Sequence, residues 1–221
     1  MDGMTKHKRP LNSLGQFLIA ANVRGELDVD ECYVASGTGH VGDLVVGSVL
    51  PRPGGVITVI YQQMRVHPIG KPRRDVAVLG PRDSSTHLCA TIPPNGLKVG
   101  EDTLVHWVAG ESGTVGCLER DAPEDSIHDA EAAVDFRCEG LVTNSLGQVV
   151  NIREFAVWPG SGRVSVPIVF VAATSAESGK TVLAGKLIRQ ISEKGFRVGA
   201  LKVTGTGGVL DSLHHRQSGA F

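Results

Sequence analysis

The stretch Thr174-Ser-Ala-Glu-Ser-Gly179-Lys180-Thr181 decides how the C-terminal part of this sequence is interpreted. Directly before it, residues 166–173 (VPIVFVAA) are continuously apolar, which is typical of a strand buried on both faces of a parallel sheet. Directly after it, residues 181–194 carry apolar side chains at helical spacing, and Gly195 is a suitable C-terminal cap. A strand, a loop of small residues, Gly-Lys-Thr and a helix follow one another in the order of a phosphate-binding loop.

Each residue type in this loop has a physical role in holding a polyphosphate. Small side chains let backbone N–H groups face the phosphates, and the start of the helix adds the positive end of its dipole. The Lys180 ammonium is expected at the β- and γ-phosphates and the Thr181 hydroxyl on Mg²⁺. The alternative is a tight turn in which Gly-Lys-Thr occurs by chance. The predicted nucleotide-binding residues are Thr174, Ser175, Ala176, Glu177, Ser178, Gly179, Lys180, Thr181 and Val182.

A second strand is predicted over residues 197–203, followed by a glycine-rich loop over residues 204–208. Open parallel sheets bind ligands at the C-terminal ends of their strands, so this loop should line the same cleft as the first. We expect Lys202 beside the transferred phosphate and Asp211 at the Mg²⁺ ion, directly or through water. The alternatives are an exposed lysine at a strand end and an aspartate that caps a helix with Ser212. Of the neighbouring His214 and His215, at most one can face the site, because adjacent helical residues point about 100° apart.

Residues 171–181 (VAATSAESGKT) resemble the loop of dethiobiotin synthetases, which also have Thr where the general motif begins with Gly. Gly199-Ala-Leu-Lys202, Asp211-Ser212 and Ser218-Gly-Ala220 are similar to that family and to the molybdopterin-guanine dinucleotide biosynthesis protein B family. The resemblance covers about residues 166–221.

This resemblance implies a P-loop domain that binds ATP or GTP with Mg²⁺. In one interpretation the protein is a ligase or kinase-like enzyme that transfers a phosphoryl group to a small-molecule substrate, with Lys180 and Lys202 as its catalytic residues. In the other it is a nucleotide-binding accessory protein for cofactor biosynthesis. In both, Thr181 and Asp211 are the candidate metal ligands.

The N-terminal part of the chain has the pattern of many short strands separated by Gly- and Pro-containing turns, which is typical of a β-barrel or sandwich. Gly37-Thr-Gly-His-Val-Gly42 matches a dinucleotide-binding motif, but a strand rather than a helix is predicted after it, so we interpret it as a loop. One short helix is predicted over residues 123–132. A third hypothesis makes this region a ligand- or partner-binding module. The predicted strands cover residues 16–21, 32–35, 43–50, 56–61, 75–79, 103–108, 114–118, 133–141 and 149–157.

Composition limits the classes of function. The 221 residues carry a formal net charge of −1, which gives no electrostatic reason to expect nucleic acid as a partner. No apolar run is long enough to span a bilayer, so no membrane partner is expected. The four cysteines form no C-x-x-C pair, which indicates neither a zinc site nor a disulfide framework and favours the cytoplasm.

The predicted fold class is α+β overall. Residues 1–160 form an all-β barrel or sandwich, and residues 161–221 form the first strand, loop, helix and strand of a P-loop α/β domain. Because such a domain needs more parallel strands, we expect it to be completed by further chain or by a partner, as in a homo-oligomer. Residues 166–221 are therefore expected not to hydrolyse or transfer phosphate by themselves, and the 221 residues to bind nucleotide weakly or not at all.

Overall fold

The computed structural model describes residues 8–19, 27–50, 57–60, 66–69, 73–81, 89–109, 113–118, 134–156, 160, 165–174, 178–203 and 209–221. The chain divides into two compact units, Met1–Ala156 and Val157–Phe221. The predicted helix over residues 123–132 lies outside the described residues.

In its described residues, the N-terminal unit has short strands and two 3₁₀ helices, Leu11–Leu14 and Ile152–Phe155. Its strands are β1 (Arg9–Pro10), β2 (Leu18–Ile19), β3 (Tyr33–Ala35), β4 (Gly37–Gly39), β5 (Leu44–Leu50), β6 (Ile57–Ile60), β7 (Val66–Ile69), β8 (Arg73–Leu79), β9 (Ala90–Thr91), β10 (Leu97–Val99), β11 (Thr103–Ala109), β12 (Thr114–Leu118) and β13 (Val134–Thr143).

Five of these strands close into a barrel, which confirms the first of the two predicted all-β architectures. β5 pairs antiparallel with both β8 and β13, and β11 pairs antiparallel with both β13 and β12. The ring is closed by a parallel pairing of β12 with β8, in which Thr114 lies opposite Val78 and Val115 opposite Leu79. Closure leaves these five strands without the free edges of an open sheet.

Side chains fill the interior of the barrel. Trp107 of β11 and Phe136 of β13 are fully buried there, with ring centroids 5.7 Å apart. A bulge between Cys138 and Gly140 shifts the register of β13, so that Leu141 also joins the interior cluster. β5 and β8 are apolar on both faces because a second buried cluster covers their outer side. That outer cluster contains Leu11, Leu14, Cys32, Val34, Leu44, Val46, Val76, Val78, Val142 and Val150.

The glycine-rich motif at residues 37–42 belongs to this barrel. Gly37–Gly39 forms β4, which pairs with β10, and β5 starts two residues after Gly42. The motif was expected to be a loop, and half of it is a strand instead. No helix begins at its end, so the arrangement that a bound pyrophosphate needs is not formed.

The strand predicted over residues 149–157 is wrong in its second half. Asn151 starts the 3₁₀ helix Ile152–Phe155 with a capping box, in which its side chain accepts the Arg153 N–H and Glu154 accepts the Asn151 N–H. The Asn151 amide also donates to the buried Asp43 carboxylate at 2.8 Å. These local bonds favour a turn over an extended chain.

Where the structure describes it, the C-terminal unit contains two helices, α1 (Lys180–Glu193) and α2 (Val209–Gln217). The helix predicted over residues 181–194 is confirmed as α1. Its end is a Schellman motif in which Gly195 has φ +87° and the Phe196 N–H donates to Ile191 O. α2 ends in the same way, with Gly219 at φ +108° and the Ala220 N–H bonded to His215 O.

The two buried strands predicted for the C-terminal unit are not formed in the described residues. Residues 166–173 and 197–203 are irregular, and their apolar side chains are exposed, including 70% of Ile168, 76% of Phe170 and 85% of Leu201. One parallel bridge, from Val198 to Ala220, lies beside them. A continuous apolar run becomes a strand only where neighbouring strands accept its hydrogen bonds and cover its faces, and the described residues supply none.

Candidate functional site

α1 begins at Lys180, at the Gly-Lys-Thr sequence that the phosphate-binding interpretation requires. Gly179 occupies the N-cap position in the left-handed region, at φ +83°, and no side chain caps the helix there. The first backbone N–H groups of a helix have no acceptor within the helix, so they face outward from this end. Lys180 Nζ donates to Ser178 Oγ at 3.0 Å. Of the predicted loop, Ser175, Ala176 and Glu177 lie outside the described residues.

Thr181, Lys202 and Asp211 come together at this end of α1. Thr181 Oγ1 donates to Asp211 Oδ1 at 2.9 Å, and Lys202 Nζ forms an ion pair with Asp211 Oδ2. The side chains of Lys202 and Asp211 are 31% and 24% exposed, so the pair is partly shielded from water. The contact joins a helix start, an irregular segment and the first turn of a second helix.

Both structural alternatives for these residues are wrong. Asp211 lies inside the first turn of α2 rather than at its N-cap, and its carboxylate faces Thr181 of the other helix. Lys202 is held by Asp211 rather than extending into solvent. Their proximity is what the sequence motif implied, whereas their roles in binding phosphate and metal stay predictions.

The oxygen atoms at this site suit Mg²⁺ bound together with phosphate. Among the residues that the structure describes, no group of three or more His, Cys, Asp or Glu side chains could hold a metal ion alone. Thr181 and Asp211 supply two neighbouring oxygens. Mg²⁺ usually keeps several waters and binds one or two protein groups plus the phosphates of a nucleotide, so the pair fits that kind of site.

His214 and His215 face different neighbours, as expected for adjacent helical residues. The His214 ring lies against the buried Gly185 of α1. His215 lies one turn after Asp211, and its Nε2 is buried with no hydrogen-bond partner in the described part of the chain. Burial lowers the pKa of His215, and the charges of His214 and Lys202 lower it further. The lowered pKa disfavours the charged form of His215.

Gly185 was not among the predicted site residues, although it fixes the contact between the helices. The signal in the sequence was a glycine inside a strongly helical pattern, which usually has a packing reason. Its position one turn after Thr181 places it on the same face of α1.

In the barrel, charged side chains connect strands to one another. Glu139 of β13 accepts from Arg74 Nε at 2.6 Å, from Arg9 at 3.2 Å and from the Ser48 hydroxyl at 3.2 Å. His106 and Asp135 form a similar pair across β11 and β13, with 3.1 Å between Nδ1 and Oδ1. These contacts connect β1, β5, β8 and β11 to β13.

Comparison of the chain with family models, with curated proteins and with solved structures gave no match. Within the described residues, no helix combines the length and the apolar character needed to cross a membrane.

Proposed function

We propose that the C-terminal unit binds a nucleoside triphosphate, ATP or GTP, together with Mg²⁺ at the start of α1. The observation that carries this proposal is the convergence of Thr181, Lys202 and Asp211 beside the Gly179-Lys180 helix start. A chance Gly-Lys-Thr turn gives no reason for its threonine to bond a carboxylate from a separate helix, or for that carboxylate to pair with a second lysine. A P-loop site needs the lysine and the threonine hydroxyl at the helix start, together with an acidic group near the metal ion.

Each of these groups has a part in holding the triphosphate. The helix start and the Lys180 ammonium bind the phosphate oxygens, and Thr181 and Asp211 hold the metal ion from one side. Bound Mg²⁺ neutralises charge on the β- and γ-phosphates. Lys202 lies where a second cation can stabilise the negative charge of a phosphoryl group in transfer. The resemblance to dethiobiotin synthetases makes a small-molecule acceptor the proposed substrate, and the protein an ATP-dependent ligase or kinase-like enzyme.

The second candidate is a nucleotide-binding accessory protein, and the exposed apolar side chains of the C-terminal unit favour it. Phe170 is 76% exposed, Leu201 85% and Val203 62%. Apolar groups of this size on a surface are typical of contacts with another protein or another copy of the chain. The two candidates differ in turnover: an enzyme releases product continuously in the presence of its substrate, whereas an accessory protein binds nucleotide and changes its affinity for a partner.

The experiment is to measure Mg-ATP and Mg-GTP binding by calorimetry for the wild-type protein and for Lys180→Ala. We expect the variant to lose at least about tenfold in affinity, because a charged hydrogen bond to phosphate is removed. Lys186→Ala is the matched control, since Lys186 is an exposed lysine on the same helix. Equal affinity of wild type and Lys180→Ala would refute the proposed function, provided that both variants keep the wild-type circular dichroism spectrum.

A further inference from the structure

We propose that the Lys202 ammonium is a built-in substitute for the divalent cation at Asp211, and that metal binding releases it toward the phosphates. The inference rests on the function proposed above and concerns how its metal site is regulated. Lys202 and the metal ion would compete for one carboxylate, so that the lysine becomes available to the nucleotide only when the metal has bound.

The contacts of Asp211 carry the first step. Its two oxygens are engaged separately: Oδ1 accepts the Thr181 hydroxyl at 2.9 Å, and Oδ2 contacts the Lys202 ammonium. In this arrangement the single negative charge of Asp211 is already neutralised. A divalent cation that binds Thr181 and Asp211 must therefore approach a carboxylate that has a cation on it.

The second step follows from electrostatics. Two cations in contact with one carboxylate repel each other, and the partial burial of the Lys202–Asp211 pair weakens screening by water. Mg²⁺ has twice the charge of an ammonium and needs oxygen ligands in a fixed geometry. Lysine, in contrast, is a point charge on a flexible stem with three donors, so it can exchange one oxygen for another by rotating.

The third step concerns where Lys202 goes. Lys202 and Thr181 contact the same carboxylate, and Thr181 directly follows Lys180 at the helix start, so phosphates bound at this start would offer acceptors to Lys202. The exchange makes the nucleotide with its metal a better ligand than the nucleotide alone. It brings the positive charge of Lys202 to the phosphates only when the metal is present.

The first test measures binding of Mn²⁺ alone, without nucleotide, by electron paramagnetic resonance. Removing the competing cation in Lys202→Met should tighten Mn²⁺ binding about two- to fivefold, the range expected for a partly exposed ion pair. Lys186→Met, which removes an exposed lysine from α1, should bind as the wild type does. Asp211→Asn should weaken Mn²⁺ binding by at least the factor by which Lys202→Met tightens it. Equal Mn²⁺ binding by wild type and Lys202→Met, or none by either, would overturn the proposal.

The second test follows the lysine itself. The side-chain signals of Lys202 in an isotope-labelled protein are assigned by their loss in Lys202→Met and recorded by NMR during a titration with Mg²⁺. We expect these signals to move toward the positions that they have in Asp211→Asn without metal, where the ion pair is absent. Signals that stay in place at saturating Mg²⁺ would show that Lys202 is not released.

Neither readout requires nucleotide, so the two proposals fail separately. If nucleotide binding is normal but Lys202 does not leave Asp211 when the metal binds, only this inference is refuted. If the metal displaces Lys202 from Asp211 but neither ATP nor GTP binds, only the proposed function is refuted.

Discussion

Gly185 of α1 and His214 of α2 pack so closely that a β-carbon at position 185 would overlap the imidazole ring. The same β-carbon would lie 3.0 Å from Ser218 Oγ. Thr181 and Gly185 are one turn apart on α1, and Asp211, His214 and Ser218 share a face of α2. The close approach at Gly185 therefore brings the two helices together next to the point where Thr181 meets Asp211.

Gly185→Ala is expected to separate the helices. In an open helix this substitution would stabilise by roughly 1 kcal/mol, because alanine has the higher helix propensity. Here we expect a net loss of about 1–3 kcal/mol from overpacking, together with weaker nucleotide binding. Amide hydrogen exchange in α1 and α2 measures the change, with Lys186→Ala as the control. Slower exchange in Gly185→Ala than in wild type would contradict the packing argument.

Thr181→Val tests the hydroxyl without changing the shape of the side chain. We expect the affinity of the variant for nucleotide to be the same in the presence of Mg²⁺ as in the presence of a metal chelator. The reason is that the metal loses one ligand and Asp211 loses its hydrogen bond. The loss in Mg²⁺-dependent affinity should be about tenfold. Thr181→Ser should restore it. Full Mg²⁺ dependence in Thr181→Val would mean that the threonine only supports the fold.

We expect the barrel to lose stability at high pH because of the buried Cys138 thiol. Burial, together with a smaller effect of the nearby Cys117, raises the pKa of Cys138 to about 12. A thiol in the unfolded chain ionises near pH 8.5, roughly, so its contribution to stability is complete below that pH and is lost as pH rises toward the folded pKa. Urea unfolding at pH 8, 9 and 10 should show a decline of up to about 1.4 kcal/mol per pH unit.

Cys138→Ala is the control for this titration. It should be less stable at every pH, because it leaves a small cavity in the barrel, but it should lack the part of the decline that belongs to the thiol. Parallel curves for wild type and variant would assign the decline to other groups.

Asn151→Ala should destabilise the barrel by about 1–3 kcal/mol. It removes the N-cap of the second 3₁₀ helix and leaves the buried Asp43 without its amide donor. Chemical denaturation measures the loss. Asn12→Ala removes an exposed amide that binds Asp30 and should cost less than about 0.5 kcal/mol. Similar losses in the two variants would show that the bond to Asp43 adds little.

Residues 1–160 are expected to fold without the rest of the chain. The barrel closes on itself, and its core is made entirely of residues from this part. Its far-ultraviolet circular dichroism spectrum should be β-rich and its thermal unfolding cooperative. A random-coil spectrum would show that the barrel depends on residues beyond 160.

The barrel strands were predictable where a local pattern sets them. Short apolar runs separated by turns with glycine and proline mark β5, β8 and β11, because such runs reflect burial in a sheet. The closure of the ring was not predictable, since the pairing of β5 with β13 depends on residues far apart in the sequence. The capping box at Asn151 and Glu154 is visible in the sequence, and it predicts the start of a helix there instead of a strand.

The candidate site was predictable in part because its motifs have a fixed order along the chain. Lys180, Thr181, Lys202 and Asp211 follow from that order. The hydrogen bond between Thr181 and Asp211 does not, because it depends on how the two helices meet at Gly185. The strand at residues 166–173 was predicted wrongly. Its apolar composition is typical of a buried strand, but a strand forms only where neighbouring strands cover it, and the composition of the segment gives no information about those neighbours.

The pairing that joins β5 to β13 also sets when the barrel can fold. Val45 pairs with Leu141, so the ring cannot close before Leu141 has been synthesised. At roughly 5–20 residues per second, a ribosome needs roughly 5–20 s to make the chain between them. During that interval the apolar strands that come first have no complete interior to enter. A chaperone that binds extended apolar segments would meet its target in this interval, and slowing translation before β13 would lengthen the exposure.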